Sequence, residues 1–192
     1  MKILYGVQGT GNGHITRSSI LIPILRDMGH EVEVVISGRN NTNFFDIEFL
    51  KPFEIKKGIT FINDSKATTF EATKACLMNY KNILWILGGL KKKDDNFNIN
   101  KFKKNVLSAF IIGKERSFFK SKINKKIKYF ETISLKKTMK YIFDELRYMT
   151  NKRIAIYVIL SPASASYDQF KNFEERGNQF KKLIIYNAKK YF

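Results

Sequence analysis

Hydrophobic residues recur along the chain in two patterns that alternate from Gly58 onward. Short apolar or β-branched runs predict buried strands, and apolar positions three or four residues apart predict helices. The predicted strands are Ile59–Ile62, Ile83–Leu87, Ala109–Gly113, Ile127–Phe130 and Ile154–Leu160, and the predicted helices are Phe70–Tyr80 (with Thr68 or Thr69 as N-cap), Phe102–Val106, Glu115–Asn124, Leu135–Tyr148 and Gln179–Tyr186. Repeated βα units predict an α/β fold with a mostly parallel sheet and helices on both faces.

The N-terminal stretch has the same alternation in a single unit. Lys2–Val7 is a predicted strand, and Gln8–Gly13 is a glycine-rich loop. His14–Met28 has helical apolar spacing, Gly29 is a helix stop, and Glu31–Ile36 is the next predicted strand. This is a partial βαβ unit whose loop could hold an anion on free backbone N–H groups at the helix start.

Composition narrows the class of protein. Hydrophobic residues make up 44% of the 192 residues and aromatic residues 14%, which favours a folded globular chain over disorder. A lone cysteine, Cys76, allows no intramolecular disulfide and is typical of the reducing cytoplasm. No apolar run approaches the roughly 18 residues of a membrane span, so none is predicted.

The formal net charge of +18 raises the question of nucleic-acid binding. The lysines are spread along the chain, and no DNA- or RNA-binding motif accompanies them. We therefore expect no specific nucleic-acid partner, and only weak, salt-sensitive attraction to polyanions.

The stretch Ser161–Gly177, S-P-A-S-A-S-Y-D-Q-F-K-N-F-E-E-R-G, carries a family resemblance. It resembles the C-terminal domain of the Mur ligases, of the type that adds D-glutamate to UDP-N-acetylmuramoyl-L-alanine in peptidoglycan synthesis. Gly58–Thr68 and Ile83–Phe97 fit the same family in the same order. The resemblance implies a Rossmann-like, amino-acid-binding domain over residues 58–192, preceded by a separate fragment over residues 1–57.

Site residues follow from this resemblance by position in the motifs. Lys92 would pair with a carboxylate of D-glutamate, although Lys91 and Lys93 carry the same charge. Thr68 and Ser166 would donate hydrogen bonds to the amino acid, and the pocket wall would be formed by two aromatic residues, Tyr167 and Phe173.

Two more residues would belong to the ATP side, namely Asp64, near the ribose or bound cations, and Lys66, near the phosphates. From the pattern alone, Asp64 could instead be a turn-forming residue and Lys66 a solvated one.

The same resemblance implies ATP and Mg²⁺ as cofactors, with no metal ligand assigned in this chain. The phosphate-binding pattern G-x-x-x-x-G-K-[ST] does not occur in the sequence. The sequence also does not contain the family's UDP-binding domain. By the resemblance, UDP-N-acetylmuramoyl-L-alanine would be a partner that binds through that domain. We therefore expect the chain alone to be inactive as a ligase.

The first 39 residues resemble a different family. Met1–Ser18, continuing to Ser37-Gly38-Arg39, resembles the opening of a GT-B glycosyltransferase of the glycosyltransferase-28-like kind. The resemblance implies that Gly11, Gly13 and His14 line an acceptor site, with His14 as general base. A helix-capping role for His14 is the alternative. Glycosyl transfer to a cell-envelope acceptor and a non-catalytic binding module or remnant thus remain rival functions for the chain.

Overall fold

A computed structural model of the chain describes residues 1–8, 12–37, 53–56, 58–92, 98–149 and 154–191. The chain divides into two compact units, Met1–Pro52 and Phe53–Phe192. Each unit has its own sheet.

The first unit is the predicted βαβ arrangement. Strand β1 (Lys2–Gln8) is followed by helix α1 (Asn12–Asp27) and strand β2 (Glu31–Ser37). The two strands pair in parallel, with Lys2 opposite Glu31 and Gln8 opposite Ser37. A parallel pair needs a crossover connection between its strands, and α1 provides it. The predicted partial βαβ unit is confirmed.

The second unit is a six-stranded sheet with the strand order β3-β4-β8-β5-β6-β7. β3 is antiparallel to β4, and the other five strands are parallel. The strands are β3 (Phe53–Lys56), β4 (Ile59–Asn63), β5 (Ile83–Gly88), β6 (Val106–Ile112), β7 (Tyr129–Ile133) and β8 (Ile156–Leu160). The helices are α2 (Phe70–Asn79), α3 (Arg116–Ile123), α4 (Leu135–Met149) and α5 (Phe173–Tyr191).

Side-chain alternation along the central strands builds a core on each face of this sheet. In β5, Leu84 and Ile86 join the cluster formed with α4 and α5, while Trp85 joins the cluster formed with α2 and α3. All six residues of β5 are buried, as expected for a strand covered on both sides. The predicted α/β, Rossmann-like fold with helices on both faces is confirmed.

Three elements differ most from the sequence predictions. The helix predicted at Phe102–Val106 is only a 3₁₀ turn, Lys103–Asn105, because Val106 pairs with Ile83 and begins β6. The helix predicted at Gln179–Tyr186 begins six residues earlier, at Phe173. Strand β3, which the apolar pattern does not predict, forms the antiparallel edge of the sheet.

The topology brings the motif-bearing loops to one edge. The carboxyl ends of parallel strands lie at the same edge of a sheet, which is where α/β proteins bind ligands. Here β4, β8, β5 and β6 are consecutive neighbours, so the loops that follow them are adjacent. In the described part of the chain, no helix is both long and apolar enough to cross a membrane.

Candidate functional site

The loops that follow β4 and β8 are joined through Asp64. Its backbone N–H donates to the carbonyl of Leu160 at 2.8 Å, and its Oδ2 accepts from the Ser161 hydroxyl at 2.6 Å. Burial raises the pKa of Asp64 to about 6, although the Ser161 hydrogen bond and the charge of Arg176 act in the opposite direction. Asp64 is therefore both a structural junction and a carboxyl that gains a proton easily.

The three serines of the loop after β8 have different environments. Ser161 is bound to Asp64, and the Ser164 hydroxyl donates to the carbonyl of Gly88 at 2.6 Å. Ser166 is 2% exposed, and its hydroxyl makes no hydrogen bond with the residues that the structure describes. Among the described residues, Ser166 is therefore the serine of this loop whose hydroxyl is not used in an internal hydrogen bond.

The loop after β5 pairs directly with the loop after β8. Leu90 and Ala165 exchange backbone hydrogen bonds of 3.0 and 2.9 Å. This pairing brings the backbones so close that a Cβ on Gly89 would lie 2.4 Å from the Ala165 carbonyl oxygen. Lys92 follows two residues after Leu90, on the same loop. Lys92 is exposed and forms no ion pair within the described part of the chain.

The other residues predicted to contact D-glutamate lie in loops or at the start of a helix. Thr68 is half-buried and directly precedes Thr69, the N-cap of α2. Phe173 is half-buried and begins α5, and its carbonyl accepts from the Ser65 hydroxyl at 2.8 Å. Tyr167 is 71% exposed, so its ring lies largely in solvent. Thr68, like Ser166, makes no side-chain hydrogen bond within the described residues.

Sequence reasoning missed Arg176, which is 1% exposed. Its Nε donates to the Ser65 hydroxyl at 2.9 Å, and its Nη2 donates to the carbonyls of Ser65 at 2.8 Å and Ser164 at 3.0 Å. Burial lowers the pKa of Arg176 to about 10, while the charges of Asp168 and Asp64 oppose that shift. The signal that could have found it is its spacing, since it falls on the buried stripe of α5 with Gly177 and Phe180.

The ATP-side residues fit only part of what the resemblance implies. Lys66 is exposed and could contact a phosphate, and Asp64 offers one carboxylate with one oxygen already bonded to Ser161. Among the described residues, no group of three or more His, Cys, Asp or Glu side chains could hold a metal ion. These residues therefore suit contact with a nucleotide but do not form a Mg²⁺ site.

The glycosyltransferase-like residues can be placed only in part. Gly13 and His14 lie in the first turn of α1, and the His14 side chain is outside the described residues. Gly11, Lys93 and most of residues 40–57 are also outside them.

Comparison with known protein families gives a match at the N-terminal end. The sequence model described as glycosyl transferase family 1 matches residues 1–110, which is more than half of the chain. The chain belongs to glycosyl transferase family 1. The family 1 match covers the whole first unit and continues into the second unit as far as the middle of β6.

Individual relatives have a different name. The chain is 35% identical to UDP-N-acetylmuramoylalanine--D-glutamate ligase of Wolbachia sp. subsp. Brugia malayi (strain TRS) over 128 residues, which is 67% of this chain and 25% of the relative. It is 34% identical over 131 residues to the ligase of that name from Rhizobium meliloti (strain 1021), covering 68% of this chain and 28% of the relative. The chain thus spans about a quarter of the length of the curated relatives it matches.

The two similarities share part of the chain. A match of 128 residues cannot fit within Met1–Pro52, so most of it lies in the second unit. Because the two matches together exceed the 192 residues of the chain, they also overlap. The predicted double resemblance, to a glycosyltransferase at the N-terminus and to a D-glutamate ligase over the larger part, is confirmed.

Proposed function

We propose that the second unit is the amino-acid-binding part of an ATP-dependent ligase, which adds D-glutamate to UDP-N-acetylmuramoyl-L-alanine in cytoplasmic peptidoglycan synthesis. One observation carries this proposal. Where the loops after β4, β5 and β8 meet, Ser161 and Ser164 bond internally, whereas the hydroxyls of Ser166 and Thr68 have no partner among the described residues. The ligase names of the relatives supply the substrate class.

The chemistry of D-glutamate suits these groups. The amino acid has two carboxylates and an amine that must be held in one orientation for attack. A lysine ammonium and two hydroxyls give charge-assisted and neutral hydrogen bonds to carboxylate oxygens. We assign the ammonium to Lys92 and the hydroxyls to Thr68 and Ser166, with Phe173 and Tyr167 against the carbon chain.

The ATP side of the site is the loop after β4. ATP supplies the phosphoryl group that activates the acceptor carboxylate in this class of reaction. We propose that Lys66 binds phosphate oxygens and that Asp64, held by Ser161, orients the nucleotide beside the amino-acid loops. No Mg²⁺ ligand is assigned in this chain.

A calorimetric titration with D-glutamate and L-glutamate tests the proposal. We expect saturable binding of the D enantiomer, and weaker or no binding of the L enantiomer. Ser166→Ala and Lys92→Ala should each weaken D-glutamate binding about tenfold, because each removes one hydrogen bond or ion pair worth about 1.5 kcal/mol.

The control variant is His14→Ala, which should bind D-glutamate as the unmodified chain does because His14 lies in the first unit. Equal loss in all three variants would count against the assignment. A folded chain that binds neither enantiomer would instead favour the non-catalytic remnant.

Glycosyl transfer is a second candidate function, favoured by the family 1 match over residues 1–110. It would use the loop containing Gly11 and Gly13, with His14 as general base toward an acceptor hydroxyl. Stabilisation of the chain by UDP-sugars against thermal unfolding, lost in a His14→Ala variant, would support this function over D-glutamate binding.

A further inference from the structure

The Arg176 guanidinium connects two loops that are far apart in the sequence. Two of its three hydrogen bonds go to Ser65 in the loop after β4, and the third goes to the carbonyl of Ser164 in the loop after β8. Ser65 adjoins Asp64 and lies three residues before Thr68, and Ser164 lies two residues before Ser166. The same side chain therefore holds the backbone on both sides of the proposed ligand.

The helix that carries Arg176 is itself fixed to the end of β4. The Asn63 side-chain amide donates to the carbonyl of Gly177 at 3.2 Å. A Cβ on Gly177 would lie 2.9 Å from the Asn63 side-chain nitrogen, so only glycine lets the helix come this close without a shift. The guanidinium is thus held against both loops by the backbone of its own helix.

Burial of this arginine is costly, which argues that it does more than fill space. Its Nη1 is buried and has no hydrogen-bond partner among the described residues. A buried donor without a partner destabilises the folded state, and an apolar side chain of similar volume would avoid that cost. A planar fork that reaches acceptors on two loops at once is what arginine provides and lysine does not.

We propose that Arg176 is a positioning residue that ties the loop carrying Asp64 and Thr68 to the loop carrying Ser166, so that the nucleotide and D-glutamate sides keep their binding geometry together. This proposal rests on the proposed function for its ligand, but the tie between the loops can be measured without one.

Amide hydrogen exchange rates, measured by NMR, test whether Arg176 connects the two loops. The reporters are the N–H of Ala67, which bonds to the carbonyl of Asp64 at 3.0 Å, and the N–H of Ala165, which bonds to the carbonyl of Leu90 at 2.9 Å. In Arg176→Lys we expect both amides to exchange at least tenfold faster than in the unmodified chain. Amides inside β5 should be unchanged.

Two further variants keep the result interpretable. Ser65→Ala removes the hydroxyl that accepts from Nε and donates to the carbonyl of Phe173, but it keeps both hydrogen bonds of Nη2. It should therefore give a smaller acceleration of the same two amides, and it decides the question if Arg176→Lys does not fold. Arg147→Met is the matched control, because Arg147 is an exposed arginine on α4 that lies over the Tyr191 ring. It should leave both reporters unchanged.

If only one of the two reporter amides, or neither, exchanges faster in a folded variant, the proposal that Arg176 connects the two loops is wrong. A calorimetric titration adds the ligand readout, in which Arg176→Lys should weaken D-glutamate binding about tenfold while Arg147→Met does not. If the unmodified chain does not bind D-glutamate, the proposed function fails, whereas the exchange rates still decide whether Arg176 holds the loops.

Discussion

At the residue scale, Asp64 shows how neighbours set the behaviour of one carboxyl. Burial is the largest effect on its pKa and disfavours the charged form. The Ser161 hydroxyl, 2.6 Å away, and the positive charge of Arg176 both favour the charged form but do not offset the burial. The folded protein therefore holds a proton on Asp64 up to a pH of about 6.

Asp64→Asn should change how stability depends on pH. Because the folded-state pKa of about 6 is above the ordinary 3.8, Asp64 favours folding most below pH 4, and this contribution is lost as the pH rises through 6. A pKa shift of about two units corresponds to about 3 kcal/mol of unfolding free energy. The unfolding free energy of the variant minus that of the unmodified chain should therefore rise by about that amount between pH 4 and pH 7.

Urea unfolding at several pH values measures this difference. Taking the difference between the two proteins removes the titration of all the other carboxyls. A difference that stays constant across the range would show that Asp64 has an ordinary pKa in the folded chain.

The sequence shows residue types and spacing, but not which distant groups meet. Asp64, Thr68 and Ser166 could be named from short motifs whose spacing is local. The spacing of Arg176 shows that it is buried, but its partners cannot be named from the sequence, because Ser65 lies 111 residues away and comes within reach only when the sheet is assembled. Similarly, nothing in the letters S-P-A-S-A-S distinguishes Ser166, which we propose binds a ligand, from Ser161 and Ser164, which form internal hydrogen bonds.

At the element scale, two adjacent threonines at the start of α2 have different roles, one structural and one proposed to bind a ligand. The sequence allows either Thr68 or Thr69 as N-cap. In the structure the cap is Thr69, whose side-chain oxygen accepts from the N–H of Ala72 at 3.2 Å. Thr68, one residue earlier, is therefore not used by the helix.

Exchanging each threonine for alanine should separate the two roles. Thr69→Ala removes the cap and should lower the unfolding free energy by about 1 kcal/mol, because an N–H of the first turn loses its acceptor. Thr68→Ala should leave stability unchanged within about 0.5 kcal/mol but weaken D-glutamate binding. Urea unfolding and calorimetry on both variants provide the comparison, and a reversal of the two results would contradict the assignment.

Element boundaries that depend on tertiary contacts are the ones that sequence patterns do not predict correctly. Gly177 looks like a helix breaker, yet it lies inside α5 because the helix packs on Asn63 and Ser65 at that point. Asn172 supports the early start by accepting from the N–H of Glu175 at 2.8 Å. β3 has only four residues, and its pairing with β4 identifies it as a strand. By contrast, the buried strands β5 and β8 are predictable from their continuous apolar runs.

At the scale of the whole molecule, both hydrophobic clusters formed by the described side chains lie in the second unit. Both core clusters consist of residues from Ile59 onward, one on each face of the six-stranded sheet. In the first unit, by comparison, Ile22 is buried on α1 while Leu21 and Met28 are exposed, since a two-stranded sheet covers only one side of the helix. Among the side chains that the structure describes, the clustered apolar residues therefore lie after Pro52.

A shortened chain of residues 53–192 should consequently fold by itself. We expect one cooperative unfolding transition within a few degrees of the main transition of the full chain, because no member of either core cluster is removed. Its affinity for D-glutamate should equal that of the full chain, since every residue assigned to that ligand is retained. Circular dichroism melts and calorimetry on both chains measure these quantities. A shortened chain that folds but loses the ligand would show that the first unit contributes to the site, and one without a cooperative transition would show that the second unit depends on the first for its fold.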